Sequence, residues 1–211
     1  MLIMSHRGYW ITNEEKNSLA AFERSFSMTF GTETDIRDFG GELVISHDIA
    51  GSHCMTLDNF LQVYCSHDPA LPLALNIKAD GLQGKLRALL MAYNITDYFV
   101  FDMSIPDHLG YLKAGLRSFS RQSEYEASPA FYDRAAGIWM DSFIDDWIEE
   151  QHIAPHLAAS KQVCLVSPEL HQRHHKPFWS RLSAMTVATS DQIMLCTDYP
   201  EEAKEFFHGA H

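Results

Sequence analysis

Eight short apolar runs, at residues 2–5, 32–36, 73–78, 98–102, 116–120, 137–141, 162–167 and 193–197, alternate with stretches of helical periodicity. Strands buried in a parallel sheet read as runs of this kind, and parallel neighbours need a crossover, usually a helix, between them. The spacing predicts helices over 17–29, 56–65, 82–93, 107–114, 147–157, 178–184 and 199–207. The first carries Leu19, Phe22, Phe26 and Met28 along one side, and the third carries Leu82, Leu86, Leu89 and Leu90. Residues 40–46, opening on Gly40-Gly41, read as an extra hairpin strand. The succession predicts an α/β protein, a short (β/α)8 TIM-type barrel forming a single domain over residues 1–211. A doubly wound open sheet has the same periodicity and is the alternative.

A barrel makes a statement about chemistry, because its active groups stand at the C-terminal ends of the strands. Those ends here read His6-Arg7, Glu33 to Asp35, Asn76 to Lys78, Asp102, Arg121, Asp141, Glu169 and Asp198. The strand bodies are apolar, yet nearly every end is ionisable. Charge narrows the partners. Sixteen basic residues against twenty-eight acidic ones give a formal net charge of −12. Such a chain has no basis for gripping a nucleic acid backbone, although a few local cations suffice for one small phosphate ester. No apolar run is long enough to cross a bilayer, so no stable membrane insertion is expected. The start lacks the basic and apolar regions of a secretory leader. Cys54, Cys65, Cys164 and Cys196 have no CxxC spacing and read as reduced thiols of a cytoplasmic protein.

Several strand-end residues suit phosphate chemistry. A histidine, as at His6, can exchange protons in catalysis, Arg7 can fork onto phosphate oxygens, and Gly8 lets the chain turn sharply. Glu33 and Asp35 share one face of their strand, since side chains alternate with period 2. On an inward face two such carboxylates repel unless a cation sits between them, and hard divalent ions take oxygen ligands. His47, before Asp48, ends the hairpin strand, and two histidines can divide base and acid duties about a phosphorus centre. Lys78 could stabilise charge on that centre, and Asn76, on the same face, could lend a carbonyl oxygen to a metal. Each signal alone also fits a solvated turn or an exposed strand face. His171, His174 and His175 lie among Arg173 and Lys176 and read as a solvated basic loop. His53, His67, His108, His152, His156, His208 and His211 read as surface or loop residues, and Trp10, Trp139, Trp147 and Trp179 as core or rim. No nucleophilic-serine elbow, phosphate-binding loop, dinucleotide fingerprint or zinc-protease motif is present in the sequence.

The order of four segments resembles the glycerophosphodiester phosphodiesterase family, part of the phosphatidylinositol-phospholipase-C-like phosphodiesterases. These are His6-Arg7-Gly8, the segment Lys16-Asn17-Ser18-Leu19-Ala20-Ala21-Phe22, then Glu33-Thr34-Asp35-Ile36, then Gly41 through His47-Asp48. The likeness is dense over roughly the first fifty residues and thins afterwards, with weaker echoes at Gly137–Asp141 and Cys196–Pro200. It implies a barrel, a divalent metal ion such as magnesium or calcium, and hydrolysis of a phosphodiester in lipid metabolism. It would make His6 and His47 the acid–base pair, Glu33, Asp35 and Asn76 the metal ligands, and Arg7 and Lys78 the phosphate binders. In the mechanism it implies, a neighbouring substrate hydroxyl attacks phosphorus, one histidine takes its proton, and the other protonates the leaving alcohol. The cyclic phosphate so formed is then hydrolysed.

Three departures separate the chain from that pattern. Asn76 stands where the family has a glutamate ligand, Lys16 replaces the glutamate of its E-N-T element, and only residues 49–75 separate Asp48 from Asn76, where a longer capping segment is usual. A neutral amide lowers the charge of the site and should weaken metal affinity. The short connection should leave the mouth open to a larger phosphodiester. Two other readings follow: a phospholipase-D-like lyase that stops at the cyclic phosphate, and a degenerate homologue that binds a phosphorylated ligand without turning it over.

Overall fold

The computed structural model describes residues 1–67 and 70–209. The expectation for His211 lies outside the described residues. The chain divides into two compact units, Ser5–Ser118 and Met1–Met4 with Phe119–His211. Strand β1 (Leu2–His6) contributes to both.

The unit Ser5–Ser118 continues from the end of β1 through α1 (Leu19–Ser27), β2 (Gly31–Phe39), β3 (Glu42–Ile45), α2 (Leu57–Cys65), β4 (Leu73–Ile77), α3 (Gln83–Ala92), β5 (Tyr98–Phe101) and α4 (Ile105–Lys113). Its strands lie in the order β5-β4-β2-β1, and β3 folds back antiparallel on β2 as the expected hairpin. Strands β2, β4 and β5 run parallel, with Asp35 opposite Asn76 and Asn76 opposite Phe101. The core is the helix–sheet interface. Phe22 and Phe26 of α1 meet Phe60 and Tyr64 of α2, and Ile36, Leu73, Leu75 and Val100 face them from the strands. Helix α1 starts where Ser18 caps the Ala21 amide, and α2 where Thr56 caps Asn59.

The second unit runs from β1 to β6 (Phe119–Gln122), β7 (Gly137–Met140), α5 (Glu150–Ala158), β8 (Gln162–Val166), α6 (Lys176–Ala184), β9 (Ile193–Thr197) and α7 (Pro200–His208). Its strand order is β1-β9-β8-β7-β6, and the β6–β7, β7–β8 and β8–β9 pairs are parallel. Trp139 and Trp179 are buried there, and the four cysteines are unbridged. Among the described residues no helix is long and apolar enough to cross a membrane.

Two boundaries move for local reasons. The run at 116–120 becomes a strand only from Phe119, because Gly115 turns left-handed at φ +71° and the Leu116 amide bonds back to Tyr111. Leu116 thus belongs to the C-terminal cap of α4. Helix α5 starts at Glu150, three residues later than the apolar pattern, because Glu149 and His152 form a reciprocal cap there.

Candidate active site

The end of β1 makes a tight turn that presents His6 and Arg7. Arg7 adopts a left-handed φ of +58°, and Gly8 follows at +79°. A Cβ on Gly8 would lie 2.9 Å from both the carbonyl carbon and the Cβ of Ala21, so only glycine lets the turn dock on α1. The Asn17 amide closes the loop by donating to the Arg7 carbonyl, and the Tyr9 amide donates to that of Ala21.

Strand β2 supplies the buried charge. Thr32 and Thr34 find polar partners, Ser25 and Asn17, so β2 needs no apolar residues there. Glu33 and Asp35 are 1% and 0% exposed, which makes them a buried pair and not an exposed strand face. Burial and the neighbouring Asp35 charge push the Glu33 carboxyl up to about 7, against opposing pulls from His6, Arg7 and Lys78.

Cations and donors gather on this pair. The Arg7 amide donates to Glu33 Oε2 at 3.1 Å, and His6 Nε2 stands 3.9 Å from the same oxygen. Arg7 Nε lies 3.1 Å from Asp35 Oδ2, an ion pair without the alignment of a hydrogen bond. Asn17 Nδ2 donates to Asp35 Oδ2 at 2.8 Å. Lys78 Nζ lies 3.7 Å from Asp35 Oδ1 and donates to Asp102 Oδ2 at 3.1 Å. Buried and without hydrogen-bond partners are Asp35 Oδ1 and Asn76 Oδ1, on residues paired in the sheet. Orphaned buried oxygens on neighbouring strands fit the donor set of a hard cation, which takes carboxylate and amide oxygens alike. Among the described residues no three His, Cys, Asp or Glu side chains converge on one point, so such a set needs the Asn76 carbonyl.

His47 stands apart from this contact network, at the end of β3. Its ring is 44% exposed, and Nδ1 lies 2.9 Å from Asp48 Oδ1. It lines a groove of about 630 Å³ with Arg7, Asn17, Lys16 and His53. The Ser46 amide, one residue before it, donates to the Asp35 carbonyl and ties the strand end to β2. Lys16 packs over the Trp10 ring at 4.3 Å on the same groove. Between β3 and β4 the only regular element among the described residues is α2. The groove is rimmed by Ile49, which is 91% exposed.

Reading of the sequence gave no role to Asn17 or Asp102. Asn17 is a polar residue held left-handed at φ +59° just before the Ser18 cap, and Asp102 is a carboxylate ending an apolar strand at φ +69°. Both are signals that a residue is positioned. Several histidines are also less solvated than their sequence context suggests. His171 Nε2 lies 2.6 Å from the buried Asp141, and His175 packs between Trp179 and Tyr199 near Glu169 and Glu202, so of the three histidines of that loop only His174 is exposed. His108 and His156 are buried, bonded to Ser118 and to Tyr132 and Gln122. The hydrogen-bond partners of His156 and His171 lie 24 to 34 residues away along the chain, and spacing cannot reveal them.

No protein-family model matches the sequence, and no curated protein matches it. Solved structures do. A glycerophosphodiester phosphodiesterase described as putative from Galdieria sulphuraria is 17% identical with a TM-score of 0.76, covering 98% of this chain and 97% of that one. The glycerophosphodiester phosphodiesterase of Agrobacterium tumefaciens is 16% identical with a TM-score of 0.70, and the alignment covers all of both chains. A phosphodiesterase of Oleispira antarctica, solved with its product sn-glycerol-3-phosphate, is 14% identical with a TM-score of 0.68, over 99% of this chain and 97% of that one. At such identities the likeness is one of fold, and chemistry rests on the residues placed at the strand ends. This chain has the (β/α)8 barrel fold of the glycerophosphodiester phosphodiesterases.

Proposed function

We propose that this protein is a divalent-metal-dependent phosphodiesterase that cleaves a glycerophosphodiester or a related phosphodiester by histidine acid–base catalysis. One observation carries the reading: the buried Glu33–Asp35 pair includes or adjoins two buried oxygens, Asp35 Oδ1 and Asn76 Oδ1, that accept no hydrogen bond among the described residues. A packed interior does not keep such groups without a ligand. Glu33, Asp35 and Asn76 would hold the ion. When bound, it would neutralise charge on the phosphate oxygens and polarise phosphorus.

The remaining steps belong to the side chains. Arg7 and Lys78 bind the phosphate and lower the cost of charge that builds on it. His47 Nδ1 lies 2.9 Å from Asp48 Oδ1, and a ring that donates from Nδ1 to this carboxylate would present Nε2 as the proton acceptor. His47 Nε2 takes the proton of a substrate hydroxyl next to the ester as that oxygen attacks phosphorus. The bond to the leaving alcohol breaks, and His6 gives that alcohol its proton. The Glu33 carboxyl, 3.9 Å from His6 Nε2, faces the ring that would give up this proton. The histidines, their roles exchanged, then let water open the cyclic phosphate. The full-length likeness to a phosphodiesterase holding sn-glycerol-3-phosphate supports glycerol as one of the two alcohols.

The test is hydrolysis of bis(p-nitrophenyl) phosphate and glycerophosphocholine with Mg²⁺, Ca²⁺ or Mn²⁺ and with EDTA, beside His6→Ala and His47→Ala. Metal-dependent turnover lost in both folded variants is expected. Turnover that survives EDTA would end the metal assignment, and turnover that survives either substitution would end the acid–base assignment. A cyclic phosphate as the final product would make the enzyme a lyase, and divalent-ion binding without turnover of any phosphodiester would leave a phosphate-binding homologue.

A further inference from the structure

The charges around the proposed ion site do not favour a divalent cation until a residue outside that mechanism is counted. Among its ligands only Glu33 and Asp35 are carboxylates, since Asn76 is a neutral amide. Arg7 lies 3.1 Å from Asp35 and Lys78 lies 3.7 Å from it, so two cations face two carboxylates and the cluster has no net charge. A dication gains little by entering such a cluster. Lys78 is the direct competitor, because its ammonium faces Asp35 Oδ1, the oxygen left without a hydrogen bond.

Asp102 faces Lys78 from the other side. Its Oδ2 is 3.1 Å from Lys78 Nζ, closer than Asp35 is. It follows Phe101, the sheet partner of Asn76, so the β4–β5 register sets it beside the ligand strand. It is held there at φ +69°, a left-handed conformation that is strained in a non-glycine residue and persists only where the surroundings impose it.

We propose that Asp102 is a positioning residue that draws Lys78 off Asp35, so that a divalent cation can take the Glu33–Asp35–Asn76 oxygens while the lysine stays at hand for the phosphate. The proposal rests on the divalent-metal reading above. On cation entry the Lys78 ammonium keeps its contact with Asp102 and gives up the weaker one with Asp35. The carboxylate that Asn76 lacks is thereby supplied one strand away, acting through the lysine and not as a ligand.

The experiment is calorimetric titration of the full chain with Mn²⁺ alone, comparing wild type, Asp102→Asn, Lys78→Met and the double variant. Asparagine keeps the shape of aspartate and tolerates the left-handed backbone. Asp102→Asn should weaken Mn²⁺ binding roughly tenfold, the scale of a cation left in contact with a ligand carboxylate. Lys78→Met should tighten binding. In the Lys78→Met background Asp102→Asn should cost roughly threefold or less, the residue of a screened charge. Should Asp102→Asn fail to fold, Asp102→Gly removes the carboxylate while relieving the backbone, and the same losses are expected. Equal losses in both lysine backgrounds, or no loss in either, overturn the proposal and leave the metal site intact. Absence of Mn²⁺ binding in every variant overturns the metal reading and this one together.

Discussion

The buried Glu33 carboxyl makes the stability of the metal-free protein fall as pH rises. Its proton is held up to about pH 7 in the fold against 4.5 for an ordinary glutamate, because burial and Asp35 disfavour the charge. Between those values the folded state binds more protons than the unfolded state. Stability contributed by the protonated group is therefore present below about pH 4.5 and lost as pH climbs through 7. At about 1.4 kcal/mol per unit the loss amounts to about 3 kcal/mol by pH 8. Glu33→Gln removes the titration, keeps the volume and still offers an oxygen to the Arg7 amide. Urea unfolding in EDTA at pH 5 and pH 8 measures the effect. The variant should exceed wild type by about 1 kcal/mol at pH 5 and by about 3 kcal/mol at pH 8, with contributions of other groups cancelling in the comparison. Parallel pH profiles for the two proteins would refute the reasoning, since they would mean that Glu33 is ionised as easily in the fold as in the open chain.

Gly8→Ala should destabilise the protein by roughly 2–4 kcal/mol, joining the left-handed penalty to the collision with Ala21, and should lower turnover by displacing His6 and Arg7; thermal melting and kcat measure both. His156 is buried with both ring nitrogens bonded to neutral partners, and burial, reinforced by Lys161, pulls its pKa below the ordinary 6.5. The unfolded chain then takes up the proton first, so stability falls as pH drops below about 6.5. Urea unfolding between pH 5 and 8 should show a shallower acid-side decline in His156→Gln, and an unchanged decline would refute the assignment.

What could be read from the sequence was what local pattern encodes. Period 2 puts Glu33 and Asp35 on one face, and four-residue spacing of Phe22 and Phe26 lays α1 on the sheet; both hold in three dimensions. The β9 run at 193–197 coincides with the strand, because a buried strand is apolar along its whole length. The contacts of Lys78 with Asp102 and of Asn17 with Asp35 were not legible. Each joins separate elements, 24 and 18 residues apart, and no spacing rule relates them. The buried His108 and His156 escaped for the same reason, since an imidazole hydrogen-bonded to polar side chains packs inside while its sequence context stays mixed.

These long-range contacts also explain how the proposed site folds before any ion reaches it. Two buried carboxylates would oppose folding strongly if left to repel each other. Here the Arg7 amide and the His6 ring meet Glu33, while Arg7, Asn17 and Lys78 meet Asp35, so the pair is compensated by Asn17 together with residues the proposed mechanism needs in any case. The compensation is incomplete at Asp35 Oδ1 and Asn76 Oδ1. The incompleteness falls where an ion would sit, and the groups that stand in for it belong to the residues proposed to bind the phosphate. Ion and substrate would then be linked: an ion at the carboxylates frees Arg7 and Lys78 from Asp35, and a phosphate arriving with it gives them a new counter-charge. Under this arrangement Mn²⁺ and inorganic phosphate bind with positive cooperativity, each raising the affinity of the other by the same factor, whereas fixed and independent sites give a factor of one.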